Sequence, residues 1–277
     1  MIFTYGTSLT GSSHIKRNIP CQDFHVIKHM NDGRVIAVVA DGVGSASHAE
    51  AGARIAAQTA ATTCEQGLIH LHDPITSLKS SYHSAWDAVI KTATENGHWI
   101  DEYDTTLTMA IYDGKTVYFG HSGDGGIIGL GMDGLYKAIT RPQKVENYYV
   151  IPLRMGKEAW EFGVAEGDFV SVLLATDGVY DIFFPYLLKG TGAGIHIPMA
   201  AYFMETSVSR VNFLSSPGAE PITDDKTLVV LINQAVKPQK QPPSYYAEPD
   251  WETLKYDYNK KFYPHLYSDV ERDADDR

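Results

Sequence analysis

Residues 35–53 read VIAVVADGVGSASHAEAGA, and this stretch decides the fold. The six consecutive apolar residues 35–40 predict a buried strand, and that strand ends at an acidic residue, Asp41. A carboxylate is costly to remove from water unless a partner compensates its charge. Because Asp-Gly is also a common turn dipeptide, Asp41 has two interpretations, an exposed turn residue or a ligand for a cation.

The composition sets limits on the class of protein. The 277 residues suffice for one large domain or two small ones, and 44% of them are hydrophobic, as in ordinary globular proteins. The formal net charge of −11, without any run of Lys and Arg, argues against nucleic acid as a partner and is compatible with bound cations.

The two cysteines, Cys21 and Cys64, form neither a disulfide framework nor a CxxC motif, which favours reduced thiols. The first residues lack the basic and apolar regions of a signal peptide. No stretch approaches the roughly 20 apolar residues of a membrane span. We therefore expect a monomeric cytoplasmic protein that has no contact with membranes.

Short apolar or β-branched runs and longer amphipathic stretches occur together along the chain. The runs predict strands over 35–40, 106–112, 116–120, 169–176 and 227–232, with a further hairpin over 123–139. Helices are predicted over 48–68, 75–97 and 195–216. Because several strands follow one another as hairpins, the pattern favours an α+β layered domain over a doubly wound parallel sheet.

The composition changes after Val236, where the chain becomes rich in Pro, Tyr and charged residues. This change predicts a domain over 1–236 and a C-terminal extension over 237–277. Such an extension is typical of a surface-wrapping or disordered segment. Its aromatic residues predict instead that it packs onto the core or a partner: Tyr245, Tyr246, Trp251, Tyr256, Tyr258, Phe262, Tyr263 and Tyr267.

Acidic residues stand at the ends of several predicted strands. Asp41 and Asp177 each follow an apolar run, Asp224 and Asp225 precede one, and Asp23 begins one. Carboxylates that converge at neighbouring strand ends repel one another unless cations intervene. Since only oxygen ligands are available, Mg²⁺ or Mn²⁺ suits the set and zinc does not.

The order of these motifs resembles the PP2C (PPM) family of metal-dependent serine/threonine phosphatases, in particular its small bacterial branch. The resemblance covers roughly residues 5–235 and is carried by GSSHIKRNIPCQDFHVI, VVADGVGS, DTTLTMAIYDGKTVYFGHSGDGG, LLATDGVYD and TDDKTLVV. It implies a four-layer α-β-β-α sandwich with two antiparallel sheets and a metal cleft at one end. It also implies that the enzyme hydrolyses phosphomonoesters on a phosphoprotein, with a cognate Ser/Thr kinase as a further partner.

The resemblance assigns roles to individual residues. Asp41 would bridge two Mn²⁺ or Mg²⁺ ions, and the carbonyl oxygen of Gly42 would complete one coordination shell. Asp177 and Asp224 would bind the first ion, while Asp23 would lie beside the second, partly through water. The attacking group would be the water between the ions, which makes Asp41 and Asp23 the central catalytic residues.

A third ion is common in bacterial members of the family. Asp181 matches one of its ligands, and Asp177 would be shared with it. The remaining ligand would come from the acids ahead of the Thr-Thr strand: Asp101, Glu102 or Asp104, of which we select Asp104.

The sequence departs from the family pattern at the positions for phosphate binding and for general acid catalysis. Many relatives have a phosphate-binding Arg at the position of Asn18, so Arg17 and His14 are the candidates here. Eukaryotic relatives have a His at the position of Val43, and His48 and His121 are the possible substitutes. Together with a short segment after residue 149, these departures leave an alternative function, a catalytically weak module that binds a signalling partner.

Overall fold

The computed structural model of the protein describes residues 1–71, 73–145, 149–156, 158–190 and 194–266. Within these ranges the strands are β1 (Ile2–Leu9), β2 (Asp23–His29), β3 (Val35–Asp41), β4 (Leu107–Tyr112), β5 (Val117–Ser122), β6 (Gly126–Gly131), β7 (Tyr136–Ala138), β8 (Lys144–Val145), β9 (Tyr149–Val150), β10 (Glu161–Val164), β11 (Phe169–Ala175) and β12 (Lys226–Asn233). The α-helices are α1 (Ser12–Arg17), α2 (Ala49–His70), α3 (Pro74–Asn96), α4 (Asp177–Phe183), α5 (Ile197–Met204) and α6 (Trp251–Phe262).

Two five-stranded antiparallel sheets pack face to face. Their strand orders are β1-β12-β11-β6-β7 and β10-β5-β4-β3-β2, and β8 and β9 form a separate hairpin. Helices α2 and α3 cover the outer face of the second sheet, and α4 and α5 cover the outer face of the first. The prediction of an α+β, four-layer α-β-β-α sandwich is confirmed.

Strand β3 lies in the interior of the second sheet, and both of its faces are buried. Ile36 and Val38 pack against α2 and α3, while Val35 and Val39 face the other sheet. Because successive side chains of a strand point to opposite faces, a strand with two buried faces requires an uninterrupted apolar run. This explains the six apolar residues 35–40 that precede Asp41.

Helices α2 and α3 form where the sequence predicts the first two helices. The buried face of α2 consists largely of alanines, whose small side chains allow close packing. The side chain of Asp73 caps α3 by accepting a hydrogen bond from the Thr76 N–H at 2.9 Å, and Gly97 ends the helix in a left-handed conformation. Within the described residues, none of the helices combines the length and apolar composition needed to cross a bilayer.

Several elements differ from the sequence prediction. The predicted single helix over 195–216 is wrong, because α5 ends at Met204 and only a 3-10 turn, Val211–Ser215, follows. The intervening ETSVSR is rich in Ser, Thr and Val, which favour caps and extended conformations over helix interiors. Strand β1 was not predicted, since Gly6 and several polar residues interrupt its apolar pattern at the edge of the sheet.

The C-terminal extension packs against the domain, as its aromatic residues predict. Tyr245 and Tyr246 contact the core beneath α4 and α5, and the N–H of Gln239 donates to the Met132 carbonyl oxygen at 2.9 Å. Helix α6, which was not predicted, begins after Asp250, whose side chain caps it. Tyr267 lies outside the described residues, and the domain division at residue 236 stays a prediction.

Candidate active site

Asp41, the last residue of β3, is held by the two threonines that precede β4. The hydroxyl of Thr105 and the N–H of Thr106 both donate to the Asp41 carbonyl oxygen, at 3.0 and 2.8 Å. The N–H of Asp41 in turn donates to the Thr106 hydroxyl at 3.0 Å. The backbone groups of Asp41 are therefore satisfied by the two threonines.

Two glycines allow close packing beside this strand end. A Cβ atom on Gly42 would collide with the carbonyl oxygen of Ala49 at the beginning of α2. A Cβ atom on Gly125 would collide with the carbonyl oxygen of Ala175 at the end of β11. The glycine of each Asp-Gly pair thus has a packing role in addition to any role in turn formation.

Three carboxylates from different elements meet at this end of the two sheets. Asp41 ends β3, Asp124 lies in the turn between β5 and β6, and Asp177 is the first residue of α4. One carboxylate oxygen of each lies within 4.8 Å of the others. We call these three residues the acid cluster.

The acid cluster opens into a cavity of about 250 Å³. Its lining residues come from α1, the strand ends and the segments beside them: Ser13, His14, Arg17, Gln22, Asp41, Gly42, Val43, Gly44, Thr106, Asp124, Val150, Asp177 and Asp224. The structure therefore brings Asp41, Gly42, Asp177 and Asp224 together, as the family resemblance implies, and adds Asp124 to them.

Asp23 lies behind the acid cluster. It begins β2, where it pairs with Asp41 in the register with β3, and it is only 4% exposed. Its Oδ2 atom accepts a hydrogen bond from the Thr176 hydroxyl at 2.8 Å. Asp23 is thus fixed beside Asp41 by the sheet and by the residue that precedes α4.

The electrostatics of the site favour a bound cation. Burial and the charges of neighbouring carboxylates raise the pKa of Asp41 well above its usual range and that of Asp177 to about 7. Burial likewise raises the pKa of Asp23 to about 8. A divalent cation would compensate these charges, and an all-oxygen ligand set fits Mg²⁺ or Mn²⁺.

Asp225 has a different environment from its neighbour Asp224. Its two carboxylate oxygens accept hydrogen bonds from the N–H groups of Gly11 and Gln22, at 2.7 and 2.6 Å. The Nδ1 atom of His14 lies 3.0 Å from Oδ2 of Asp225. Asp225 therefore joins the start of β12 to the segments on both sides of α1.

Helix α1 carries both candidates for phosphate binding. Arg17 lines the cavity, and its Nε atom donates to the Ser13 carbonyl oxygen at 3.2 Å. His14 also lines the cavity, but it is buried and its Nδ1 faces Asp225. Only its Nε2 atom therefore remains for a phosphate, and both assignments stay predictions.

The residues proposed for a third ion lie in two segments of the chain, α4 and the residues before β4. Asp181 lies one helical turn after Asp177 on α4, which puts both on the same face. Asp104 is buried, and its two oxygens accept hydrogen bonds from Nε and Nη2 of Arg154 at 2.7 and 2.8 Å. A cation at Asp104 would have to displace this guanidinium, and the third site stays a prediction.

The two histidines considered as general acids lie outside the cavity lining. The ring of His48 stacks on that of His98, with 4.2 Å between the ring centroids. His121 is fully buried, and its ring nitrogens lie at 2.9 Å from the Thr108 hydroxyl and 3.1 Å from the Arg141 carbonyl oxygen. Burial lowers the pKa of His121 to about 4, which keeps the ring neutral.

Sequence reasoning missed two charged residues of the site. Asp124 is followed by Gly125 at the beginning of the predicted hairpin over 123–139, and the same Asp-Gly pair occurs at Asp41 and Asp177. Lys144, whose Nζ atom lies 3.1 Å from Oδ2 of Asp124, had no comparable signal. It stands in a polar segment, and only the tertiary structure brings it to the cluster.

The fold and the site define a class of protein, an α-β-β-α sandwich with a cleft of oxygen ligands at one end of its sheets. The profile of the family described as Protein phosphatase 2C matches residues 10–211. The chain belongs to this family, and the prediction of a PP2C-type phosphatase, a hydrolase, is confirmed at the level of the family. No curated protein sequence gives a significant match.

Solved structures share the fold at low sequence identity. A bacterial serine phosphatase superposes with a TM-score of 0.62 at 14% identity, over 87% of this chain and 100% of its own. The serine/threonine phosphatase Stp1 from Staphylococcus aureus gives 0.61 at 15% identity, over 84% and 95%. The catalytic domain of the serine/threonine phosphatase PstP, in complex with two manganese ions, gives 0.54 at 19% identity, over 83% and 97%.

Proposed function

We propose that the protein is a phosphatase that depends on divalent cations and hydrolyses phosphoserine or phosphothreonine monoesters on a protein substrate. The acid cluster carries the proposal, because one carboxylate oxygen from each of its three residues lies within 4.8 Å of the others. The manganese in the PstP structure and the magnesium in that of RsbX, which has a TM-score of 0.50, support Mn²⁺ or Mg²⁺.

In this proposal two cations bind at the cavity. Asp41, Asp177 and Asp224 would hold these cations, together with the Gly42 carbonyl oxygen and with Asp23, which lies behind the cluster. When bound, such cations lower the pKa of a water molecule and neutralise charge on the phosphoryl oxygens during in-line attack.

The state of the cysteines supports water as the nucleophile. A cysteine phosphatase would need a thiolate, which is the nucleophilic form of the side chain. Burial raises the pKa values of Cys21 and Cys64 to about 12, so both are neutral thiols at physiological pH. The chain therefore offers no activated cysteine to replace water.

Arg17 is the residue that we assign to phosphate binding. Its guanidinium is always charged and can form two parallel hydrogen bonds to a phosphoryl group. Helix α1 is docked through the N–H of Ser13, which donates to the Thr223 carbonyl oxygen at 2.9 Å, and through His14 beside Asp225. His14 thus contributes chiefly by positioning the helix that presents Arg17 to the cavity.

The phosphoprotein substrate and the cognate Ser/Thr kinase that would form it follow from the family. A net charge of −11 supports a protein partner over nucleic acid. We propose that the chain acts as a monomer.

The proposal is tested by phosphate release from a phosphothreonine peptide, with and without Mn²⁺, for the wild type and Asp41→Asn. We expect turnover only in the wild type with Mn²⁺. Asp133→Asn, which alters an exposed acid in the turn between β6 and β7, is the matched control and should retain full activity.

Calorimetric titration with Mn²⁺ distinguishes the alternative function. Mn²⁺ binding without turnover of any phosphopeptide would favour the catalytically weak binding module. Absence of Mn²⁺ binding to the wild type would contradict both the metal site and the mechanism.

A further inference from the structure

We propose that Lys144 is a tethered cation that competes with divalent cations at Asp124 and weakens the lowest-affinity cation-binding step of the cleft. The inference rests on the proposed binding of cations at the acid cluster. It assigns to Lys144, which is not itself a cation ligand, the role of lowering the affinity of the cleft for a cation.

The contact itself is close and partly desolvated. The Nζ atom of Lys144 lies 3.1 Å from Oδ2 of Asp124, whose side chain is only 9% exposed. Ion pairs between fully exposed side chains contribute little because water screens them. Burial of the Asp124 carboxylate reduces that screening, so the ammonium has a strong effect on this member of the cluster.

The backbone fixes Lys144 at this position. Lys144 begins β8, which pairs with β9, and the preceding residue, Gln143, is bound to the turn that contains Asp124. The N–H of Gln143 donates to the Gly123 carbonyl oxygen at 2.7 Å, and the N–H of Gly123 donates to Oε1 of Gln143 at 3.3 Å. The backbone at Lys144 is therefore fixed beside the turn that contains Asp124.

Lys144 is also in ion-pair contact with a member of the acid cluster. In the part of the chain that the structure describes, the Lys144–Asp124 pair is the one Lys, Arg or His ion pair that includes Asp41, Asp124 or Asp177. Its ammonium supplies one positive charge to a group of three carboxylates. A divalent cation that uses Asp124 must share this carboxylate with the ammonium or displace it, and like charges repel.

The test is calorimetric titration of the full-length protein with Mn²⁺. Lys144→Met keeps the length of the side chain and removes its charge, and we expect its weakest Mn²⁺-binding step to tighten by about tenfold, in the range of one charge a few Å away. Lys144→Arg keeps the charge and should remain within about twofold of the wild type. Melting temperatures confirm that each variant is folded.

Two further variants isolate the interaction. Lys137→Met breaks the exposed pair of Lys137 with Asp133, at 2.8 Å, and should leave Mn²⁺ binding unchanged, because it removes a charge away from the cluster. In an Asp124→Asn background, Lys144→Met should lose its effect, since the carboxylate for which the two cations compete is gone.

Each outcome bears on the proposal. Unchanged or weaker Mn²⁺ binding by Lys144→Met would overturn it, and so would an effect that persists in Asp124→Asn. A higher KM for phosphopeptide with unchanged Mn²⁺ affinity would make Lys144 a substrate contact instead. If the wild type binds no Mn²⁺, the proposed function fails as well, whereas binding by the wild type that Lys144→Met does not alter overturns the role of Lys144 alone.

Discussion

The acid cluster and the two buried acids at its border, Asp104 and Asp225, contain the same functional group in opposite states. Asp225 receives two backbone N–H groups, and Asp104 receives both arms of the Arg154 guanidinium. In the cluster, by contrast, the pKa values of Asp41 and Asp177 are raised. Carboxylates that accept hydrogen bonds from N–H groups or a guanidinium stabilise the fold, and carboxylates crowded by other carboxylates remain available for cations.

The comparison shows that burial alone does not identify a functional acid. Asp23, Asp104, Asp124 and Asp225 are all buried, yet their partners differ in number and charge. A carboxylate with full hydrogen bonding stabilises the folded state, whereas one crowded by other carboxylates destabilises it until a cation arrives. Substitutions in the two groups should therefore have opposite effects on stability.

The largest expected effect is on catalysis. Asp177→Asn removes one carboxylate of the acid cluster and should reduce kcat for a phosphothreonine peptide by about a thousandfold, the scale expected when a transition-state charge is no longer stabilised. Without metal, its melting temperature should equal or exceed that of the wild type, because a buried repulsion is relieved. A large loss of metal-free stability would mean that Asp177 belongs with the structural acids.

The next largest effect is on stability. Asp225→Asn replaces an acceptor of two N–H groups with a side chain that also carries donors, and it should lower the free energy of unfolding by about 3 kcal/mol. Urea denaturation measures this change, with Asp133→Asn as a surface control that should stay within about 0.5 kcal/mol of the wild type. Equal stability of the two variants would remove the distinction between Asp225 and an exposed acid.

A smaller loss is expected from Arg154→Met. This variant leaves Asp104 buried without its bidentate partner and should cost about 1–2 kcal/mol, since the guanidinium itself is partly exposed. If Asp104 is then free for a cation, an additional weak Mn²⁺-binding step should appear in calorimetry. A stable variant without such a step would count against both the structural pairing and the predicted third site.

The smallest expected effect concerns how steeply the melting temperature depends on pH in the absence of metal, for the wild type and for Asp23→Asn. The folded-state pKa values of Asp23 and Asp177 are raised, to about 8 and about 7, so the folded state binds more protons than the unfolded state above pH 4. The stabilisation is therefore present below pH 4 and is lost as pH rises toward 8. In EDTA, the melting temperature should fall between pH 5 and pH 8.

Asp23→Asn provides the comparison for that slope. Its melting temperature should fall less steeply over the same interval, because one carboxyl group with a raised pKa has been removed. Added Mn²⁺ should reverse the fall in the wild type. Parallel slopes for the two proteins would show that Asp23 does not carry the raised pKa.

Much of the fold could be predicted from local pattern. The apolar run 35–40, the DGK turn and the alanine-rich helix each specify their element through nearest neighbours in the sequence. Strand β1 and helix α6 could not be predicted, because both depend on what they pack against. Strand β1 pairs with β12, and Tyr258 of α6 contacts the ring of Tyr186. In both cases the partner is distant in the sequence.

The candidate site likewise contains residues that could be predicted from the sequence and residues that could not. Asp41, Asp177 and Asp224 could be predicted as site residues because each stands at the end of an apolar run. The order of the motifs that contain them resembles the family. The difference between Asp224 and Asp225 could not be predicted, since the N–H groups that satisfy Asp225 belong to Gly11 and Gln22, which are 214 and 203 residues away in the sequence. The same applies to Arg154, which takes Asp104 out of the set of free acids.

The double burial of β3 has a consequence for how the site is assembled. Amide groups in a strand with two buried faces exchange with solvent only on extensive unfolding, so Asp41 is anchored to a persistent part of the molecule. A cation arriving at the cleft meets this ligand already in place, and the conformational entropy of ordering it has been spent during folding. Because Mn²⁺ binds the folded state, it should slow hydrogen exchange of β3 by the factor by which it lowers the population of the unfolded state.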